Sequence, residues 1–586
     1  MSVPLADLDA DREWVVSGIE IEGSEHYSER KLKTELRTRP RPWYQPWKAR
    51  PQFDPAQFEG DLKRLRRLYE REGFFSTRID AGVRVRDEED ARLDLEIRIE
   101  EGGRASVTSV EVLVDGQEQD SEFKAALPLR AGKPFSEERY QQTEAQLLRG
   151  QLDRGHAHAG ITRRAEVSPD RRSAAVRYAL EIGPPTVFGA TQIKGLEDVE
   201  SRLVERELRY TPGAPFSLKE LEQTRSSLLA LKLFSNVRID WDREGASSEE
   251  IPVAIQVVEA PPREIRVGAG YSTTTEFGAR IAWRHYNWLG GGQHLTVSGK
   301  YSTIISAAEL DFLQPHLFGR ESQGLLSFRL FQDDEDTYTL NSIRIVPRLQ
   351  WQATPAISIW TSYRAQFAKL LGVGQPVEDL LGGVRREGVL SGPSAGLAWN
   401  GGLEGTRFRL GTRYLLEASQ IGAIWGGDFH FYTLATELAH SLDLGFGFEL
   451  SGRVRLSFVD ALGQDQNLPL FERLFAGGQG SVRGFGRRQL GPKVESGDPI
   501  GGLSRFESSI ELRRQVWGSF GAAAFFDVGQ VSLDRFDFSR HEFETSAGPG
   551  LTYDTAVGPL SLYVGFPLDP PDEQRWEIHF SVGYFF

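Results

Sequence analysis

The chain changes its hydrophobic pattern at Pro261 and Pro262. Before this point, segments with the two-residue period of strands alternate with segments that have the longer period of helices. After it, nearly every segment has the pattern of a strand bounded by turn residues. The pattern therefore predicts an α/β region that is followed by an all-β region.

One pattern occurs three times in the first region. Each copy opens with a short alternating strand that ends in a turn containing glycine, and it closes with a second alternating strand. The opening strands are residues 16–22, 107–114 and 188–194, and the closing strands are residues 93–99, 174–182 and 251–258. Repetition of one unit predicts tandem domains rather than a single large domain.

An amphipathic helix is predicted inside each copy. Each helix follows a residue whose side-chain oxygen can accept a hydrogen bond from the free amides of the first turn, namely Asp54, Ser136 and Ser217. In the first copy, apolar residues then recur at helical spacing: Phe58, Leu62, Leu65 and Tyr69. Such a helix covers one side of a small sheet, so the order β-α-α-β-β predicts three small α+β domains.

The second region, residues 263–586, has no stretch near the ~18 consecutive apolar residues that a transmembrane helix requires. Membrane-spanning strands need only about 9–11 residues each, and they average out as polar because lipid-facing and lumen-facing residues alternate. About 16 such strands would use roughly half of this region and leave the rest for turns and loops. The predicted fold is therefore multidomain, with three α+β domains followed by a transmembrane antiparallel β-barrel of about 16 strands.

The end of the chain shows this alternation most clearly. One face is apolar and aromatic, with Trp576, Ile578, Phe580, Val582, Tyr584 and Phe586, and the other carries Glu577, His579, Ser581 and Gly583. The aromatic residues Phe580, Tyr584 and Phe586 resemble the C-terminal recognition signal of bacterial outer-membrane barrels. A soluble β-sandwich with its aromatics inside has the same period, so alternation alone leaves both folds open. The length of the region and the terminal signal favour the membrane barrel.

Composition excludes several classes of function. The formal charge of −14 argues against nucleic acid as a ligand, since phosphate binding needs clustered Lys and Arg. The chain has no cysteine, which excludes disulfides, thiolate catalysis and cysteine-ligated zinc. Residues 1–20 are acidic and lack the apolar core of a signal peptide. We expect a secreted protein whose signal peptide is absent from this sequence.

Residues 480–485, Gly-Ser-Val-Arg-Gly-Phe, form the most specific motif in the chain. They resemble the V-R-G-F/Y motif in the sixth extracellular loop of the BamA/TamA outer-membrane superfamily, which corresponds here to Val482, Arg483, Gly484 and Phe485. The resemblance implies that this loop folds back into the barrel lumen, where the arginine binds acidic residues of the wall. Glycine beside the arginine lets the loop backbone turn or approach the wall closely.

The acidic partners are predicted from two later segments. Residues 525–529 match the superfamily's F-x-D-x-G strand, with Phe525, Asp527 and Gly529, and residues 508–512 resemble the strand before it. If the apolar residues on either side face lipid, Asp527 and Glu511 face the lumen. A planar guanidinium can donate to both carboxylates. We therefore expect Arg483 to bind Glu511 and Asp527.

The junction between the first and last barrel strands is a second candidate site. The first strand is predicted at residues 263–271 with Gly268 and Gly270 inside it, and the last contains Gly583. Glycine weakens strand interiors, so this junction is suited to opening sideways. An open edge offers unpaired backbone groups to an incoming strand. The resemblance to the superfamily implies that this junction is a lateral gate, at which the strands of client proteins are templated.

The α+β repeats, over residues 14–260, resemble the periplasmic POTRA domains of the same superfamily. The predicted divisions are an N-terminal extension at 1–13, POTRA domains at 14–102, 103–183 and 184–260, and the barrel at 261–586. Three such domains and a barrel of this length are most similar to the TamA branch. This similarity implies a bacterial outer-membrane protein with three kinds of partner: an inner-membrane-anchored TamB-like subunit bound through the POTRA domains, unfolded outer-membrane protein clients such as autotransporters, and the lipid bilayer.

Other functions stay open at this point. A BamA-type core insertase carries more POTRA domains, and a two-partner secretion pore, which exports one dedicated protein, carries fewer. A passive diffusion porin would be a different class, but it needs no docking domains. We expect no enzyme, no catalytic residues, no cofactor and no metal. The hydrolase-like string at residues 392–396 has no helix after it, whereas a nucleophile elbow requires one.

Overall fold

The structure is a computed structural model that describes residues 3–4, 8, 12–41, 47, 49–87, 89–242, 249–401, 411–463, 468–538, 542–555, 558–569 and 575–583. The chain forms two compact units. One contains residues 1–194, 208–226 and 238–256, and the other contains residues 195–207, 227–237 and 257–586. Within the described ranges, no helix has the length and apolar character needed to cross a membrane.

Before the barrel, the described strands form three separate sheets. The third has the predicted β-α-α-β-β order, and the first two contain this order together with one additional two-residue strand each. The first has strand order β1-β3-β4-β2 and consists of β1 (Val3–Pro4), β2 (Val15–Glu22), α1 (Glu29–Glu35), α2 (Pro55–Arg71), β3 (Arg78–Asp87) and β4 (Arg92–Glu100). The second has order β6-β5-β8-β7 and consists of β5 (Ser106–Val114), β6 (Gln117–Glu118), α3 (Ser121–Ala125), α4 (Glu137–Leu152), β7 (Gly160–Val167) and β8 (Ser173–Glu181). The third has order β10-β11-β9 and consists of β9 (Val187–Lys194), α5 (Ser201–Glu207), α6 (Leu218–Ala230), β10 (Phe234–Trp241) and β11 (Glu250–Glu259).

The helix signals were confirmed in the first sheet and only partly in the second. Asp54 caps α2, because its carboxylate accepts from the amides of Ala56 at 2.9 Å and Gln57 at 3.2 Å. The predicted apolar face of α2 lies on the sheet, with Phe58, Leu65 and Tyr69 fully buried and Leu62 partly buried. Ser136 occupies the N-cap of α4 without a side-chain capping bond.

Helix α6 receives its cap from outside its own sequence. The amide of Lys219, in its first turn, donates to the Asp153 carboxylate at 2.7 Å, and the Ser217 hydroxyl lies 3.4 Å from the same oxygen. Asp153 is the C-cap residue of α4. The local sequence therefore located the start of this helix, but a residue from the preceding domain supplies the acceptor.

Sixteen strands close into one antiparallel barrel in sequence order, in agreement with the predicted architecture. They are β12 (Arg263–Ser272), β13 (Glu276–His285), β14 (His294–Ser302), β15 (Ile305–Pro315), β16 (Ser322–Glu335), β17 (Tyr338–Thr354), β18 (Ile357–Leu371), β19 (Glu387–Gly401), β20 (Thr412–Ile421), β21 (Phe431–Gly445), β22 (Phe448–Ala461), β23 (Ser504–Trp517), β24 (Phe520–Ser532), β25 (Glu544–Thr555), β26 (Gly558–Pro567) and β27 (Glu577–Gly583). A short helix, α7 (Gln375–Leu380), and 3₁₀ turns at Ala423–Trp425 and Leu470–Glu472 lie in the connections.

Side chains alternate between the two faces of the barrel wall. On β23 and β24 the outward residues Ile510 and Phe526 are 53% and 41% exposed, whereas Asp527 is fully buried on the inner face. The predicted faces of the last strand are also seen, since Trp576 and Ile578 are exposed and His579 is buried. The exposed apolar band is what lipid contact requires.

The connections at the two ends of the barrel differ in size. Consecutive antiparallel strands place residues 372–386, 422–430, 462–463 and 468–503 at the end opposite to the start of β12, here called the far end. Residues from all three far-end loops share an apolar core with the strands beneath them, including Val377, Phe429, Leu470, Val494 and Ile500. The segment Leu468–Leu503, here called the inward loop, is therefore packed rather than extended into solvent.

Candidate functional site

The inward loop places Arg483 against the inner faces of β23 and β24. Its Nε and Nη2 donate to the two oxygens of Asp527, each at 2.8 Å, and its Nη1 donates to Glu511 at 2.5 Å. Its backbone amide donates to Asp527 at 3.0 Å, and Nη2 also reaches the Ser509 hydroxyl at 3.0 Å. The structure thus brings together the arginine and both predicted carboxylates.

This cluster is shielded from water. The Arg483 side chain is 6% exposed, Asp527 is 0% exposed and Glu511 is 15% exposed. The guanidinium carbon also lies 3.7 Å from the centre of the Phe525 ring and 5.0 Å from that of Tyr563. Charges in such a setting are strongly coupled, so removal of one member leaves its partner buried and unpaired. The F-x-D spacing has a direct explanation: it places the ring and the carboxylate on the same inner face.

The glycines of both motifs allow the loop to touch the wall. A Cβ at Gly529 would lie 2.5 Å from a methyl of Val482, and a Cβ at Gly484 would lie 2.5 Å from that of Ser546. The amide of Gly484 donates to the Ser546 hydroxyl at 3.1 Å. Of the two roles predicted for Gly484, the structure shows the close approach.

The apolar residues of the V-R-G-F motif form a small core inside the lumen. Val482 and Phe485 are buried and pack with Ala476, Leu490 and Val531. Sequence reasoning identified these two residues by resemblance alone, since nothing in the local pattern shows what a loop residue packs against.

Sequence reasoning missed three hydrogen bonds that join the loop to the last two strands. The Nε2 of His579 donates to the carbonyl of Arg483 at 2.8 Å. The amide nitrogen of Gln479 donates to the hydroxyls of Ser561 and Ser581, at 3.0 and 3.2 Å. The alternation of the last strand did predict that His579 and Ser581 face inward, but it carried no information on their partners.

Further ion pairs fasten the loop to other parts of the wall. Arg487 and Arg488 both bind Glu335 at the end of β16. Glu472 binds Arg364 of β18. These partners lie more than 100 residues apart in sequence, which is why no local motif reveals them. The loop is thus braced on three sides of the lumen.

The junction of β12 and β27 is here called the seam. Within the described residues it has three registered pairs: Gly270 with Gly583, Tyr271 with Val582 and Ser272 with Ser581. Every other pair of neighbouring barrel strands has six or more. One further backbone bond, from the amide of Thr273 to the carbonyl of Phe580 at 2.9 Å, continues the seam toward the far end.

The other predicted seam and terminal residues are placed as follows. Gly268 pairs with Arg280 of β13 and has no registered partner in the described part of β27. Phe580 lies with its ring centre 6.3 Å from that of Tyr271, across the seam. Tyr584 and Phe586 lie outside the described residues. A cavity of about 370 Å³ borders the seam on the lumen side, where Gly268, Ser272, Gln479 and Ser581 contribute to its lining.

The described residues contain no cluster of three or more His, Cys, Asp or Glu side chains that could hold a metal ion. The chemistry of the lumen cluster is that of charge pairing and hydrogen bonding between a loop and a wall. It positions structural elements.

Fold and site together define an outer-membrane type of β-barrel with tandem α/β domains before it and a braced loop inside it. The family model described as the Omp85 superfamily domain matches residues 287–586. The chain therefore belongs to the Omp85 superfamily. The POTRA model, described as a surface antigen variable number repeat, matches residues 15–102.

Individual relatives have low sequence identity to this chain but match most of its length. The chain is 21% identical to the outer membrane protein assembly factor BamA of Neisseria meningitidis serogroup B, over 98% of this chain and 79% of that protein. It is 25% identical to BamA of Nitratidesulfovibrio vulgaris, over 76% of this chain and 57% of that protein. The crystal structure of BamA from Haemophilus ducreyi lacking POTRA domains 1–3 has a TM-score of 0.65 and 18% identity, over 82% of this chain and 99% of that one. This likeness shows a shared fold.

Proposed function

We propose that this protein assembles β-barrel proteins in the bacterial outer membrane, with its barrel in the bilayer and its α/β domains in the periplasm. The observation that carries the proposal is the small number of registered pairs, three in the described residues, between β12 and β27. The relatives named as outer membrane protein assembly factors support it.

The seam supplies the chemistry for this role. When β12 and β27 separate, each exposes a row of unpaired backbone donors and acceptors, and an unfolded client strand satisfies them by β-augmentation. The incoming strand pairs through its backbone, so clients of different sequence are accepted. Closure of the seam after release removes the exposed edges again.

The inward loop acts as an internal brace during this opening. Its buried anchor, Arg483 with Asp527 and Glu511, lies on β23 and β24, away from the seam. When β27 moves, the neutral hydrogen bonds of the loop to His579 and Ser581 must break. Neutral hydrogen bonds contribute less than charge-assisted ones. The loop therefore holds the wall while the seam strand moves.

A passive porin is disfavoured by the same loop. A diffusion pore needs an open lumen, whereas here loop residues pack against the inner wall and share a core with strands at the far end. A single-channel recording that showed a large, constantly open conductance would instead support the porin.

A more specific proposal is that the protein is the outer-membrane subunit of a TamA-type module. The three α/β sheets that precede the barrel in the described residues support it. According to this proposal, the α/β domains bind an inner-membrane-anchored, TamB-like subunit, and autotransporters are among the clients. The relatives named BamA favour the core insertase as the alternative. Affinity purification of the full-length protein from crosslinked cells separates the two: recovery of a large inner-membrane-anchored protein supports the module, and its absence supports the core insertase.

Quantitative proteomics of the outer membrane after depletion of this protein in its native host tests the function. Loss of several barrel proteins or autotransporters is expected, with lipoproteins as the unaffected control class. If one large secreted protein disappears from the medium while the membrane proteome is unchanged, the protein is a two-partner secretion pore. If neither changes, the proposal of a transport or assembly role fails.

A further inference from the structure

A cavity of about 350 Å³ lies between the inward loop and the far-end turn of the first hairpin. Four arginines line it, Arg473, Arg487, Arg488 and Arg505, together with Thr274 and residues 474–475 and 477–481. The lining contains no Asp or Glu side chain. Arg483 lines a neighbouring chamber of about 820 Å³, which shares Gln479 and Ser481 with this cavity.

The carboxylates that form salt bridges with these arginines do not line the cavity, and they are fewer than the arginines. Glu335 serves both Arg487 and Arg488 and is only 4% exposed. Glu507 lies 3.4 Å from Arg505, but it also accepts from Arg455 at 3.0 Å. Within the described residues, these two carboxylates therefore form salt bridges with four guanidinium groups.

Arg473 is the clearest case of an uncompensated charge. Its Nε donates to the carbonyl of Ile500 at 2.8 Å and its Nη2 donates to that of Gly501 at 3.2 Å. No salt bridge to Arg473 is found in the part of the chain that the structure describes. Carbonyl oxygens fix the orientation of the guanidinium group but leave its full positive charge.

We propose that this cavity binds an anion that carries phosphoryl groups. A planar guanidinium offers paired donors that match the oxygens of a phosphoryl group, and several together favour a multiply charged anion over a single carboxylate. Such an anion also relieves the mutual repulsion of the four arginines. Thr274 contributes to the same lining.

Two sources supply this chemistry at the far end of the barrel: a soluble diphosphate, or the phosphorylated headgroup of a lipid in the surrounding membrane. The cavity touches both the inward loop and the turn after β12, so an anion in it joins the loop to the first strand of the seam. The inference does not depend on the assembly function, because it concerns anion binding by the barrel itself.

The test is thermal unfolding of the full-length protein in detergent, with pyrophosphate compared against sodium chloride at equal ionic strength. Equal ionic strength removes the general effect of screening. We expect pyrophosphate to raise the Tm of the wild type by about 2–4 °C. Arg473→Gln is the informative variant, since it removes one cavity charge without leaving a salt-bridged carboxylate unpaired. Arg453→Gln is the matched control, because Arg453 also donates to a loop carbonyl but lines the larger chamber.

A second arm distinguishes the two sources. The same variants are reconstituted in vesicles that contain either a phosphorylated glycolipid or its dephosphorylated form. A pyrophosphate effect that Arg473→Gln abolishes and Arg453→Gln retains supports a soluble anion site. The same pattern with the phosphorylated glycolipid alone supports a lipid headgroup site. If neither ligand raises the Tm of the wild type, or if Arg473→Gln responds like the wild type, the proposal is overturned.

Discussion

At the scale of single residues, the site depends on matching one long side chain to a prepared wall. Arg483 meets Asp527 with two donors and a backbone amide, Glu511 with a third donor, and the Phe525 ring with its flat face. Each contact constrains a different degree of freedom of the guanidinium group. A lysine has neither the fork nor the flat face, so it would not replace this arginine.

Arg483→Ala is expected to destabilise the barrel by about 3–5 kcal/mol, because Asp527 would then be buried without a partner. Thermal or denaturant unfolding of the purified protein measures the loss, and client folding in proteoliposomes is expected to fall with it. The matched control is Arg413→Ala, whose side chain is 64% exposed where it pairs with Glu437. Exposed pairs contribute only about 0–1 kcal/mol. Equal stability of the two variants would show that the buried cluster does not stabilise the barrel.

Gly565→Ala is expected to displace the loop without changing any charge. A Cβ at Gly565 would lie 2.0 Å from the carbonyl oxygen of Arg483, so loop or strand must shift, at a cost of about 1–3 kcal/mol. Gly452→Ala is the control, since nothing lies within 4 Å of its Cβ position. The prediction fails if both variants unfold at the temperature of the wild type.

At the scale of elements, the first α/β domain contains a buried carboxylate within an apolar helix face. Asp61 of α2 is fully buried, and its two oxygens accept from the amides of Arg37 and Thr38, each at 2.9 Å. Arg64 of the same helix pairs with it. The chain that leaves α1 is thus tied to α2, which fixes the angle between the two helices over the sheet.

Asp61→Ala is expected to leave two backbone donors unsatisfied, at about 1–3 kcal/mol for each buried group. Hydrogen exchange at the amides of Arg37 and Thr38, measured in the full chain, is expected to accelerate strongly. Glu59→Ala, at an exposed position of the same helix, is the control for altered helix propensity. Unchanged exchange at both amides would show that Asp61 does not hold this segment.

At the scale of the whole molecule, the ion pairs of the loop and the junction of the first and last strands lie on different parts of the barrel wall. Ion pairs of the inward loop lie on β16, β18, β23 and β24, whereas the seam depends on three registered pairs in the described residues. A barrel needs closure to hide its edges, and within the described residues the fewest registered pairs lie between its first and last strands. Under the proposed function, this junction opens while the rest of the sheet stays intact.

A disulfide between Ser272→Cys and Ser581→Cys is expected to stop client insertion while leaving the protein folded. The two residues are registered partners across the seam, at the spacing of about 4.5–5.5 Å that antiparallel pairs provide and disulfides accept. The absence of native cysteine makes the crosslink unique. Client folding is measured before and after reduction, and activity should return with the reductant.

The control shares one of the two cysteines. Ser561→Cys with Ser581→Cys links β26 to β27, where Ser561 and Ser581 are also registered partners. This crosslink leaves the seam free, so activity should persist under oxidising conditions. If the seam crosslink also leaves activity intact, the gate proposal is wrong for this protein.

By itself, the sequence determined the periods, the faces and several ends of elements. Alternation was sufficient to place Asp527 and Glu511 on the inner wall and Trp576 on the outer one, since a strand exposes successive side chains on opposite faces. Asp54 was sufficient to mark the start of α2, because a capping side chain acts within two or three residues of itself. These are local effects, and local sequence carries them.

Only the tertiary structure decided which inward residues meet. The face of a strand does not state its register with distant strands, so the pairing of Arg487 with Glu335 and of His579 with the Arg483 carbonyl could not be predicted. The same holds for Gly565, whose role depends on a loop that passes 2.0 Å from its missing Cβ. Contacts of this kind follow from closing the barrel and folding the loop into it, and both depend on the whole set of strands at once.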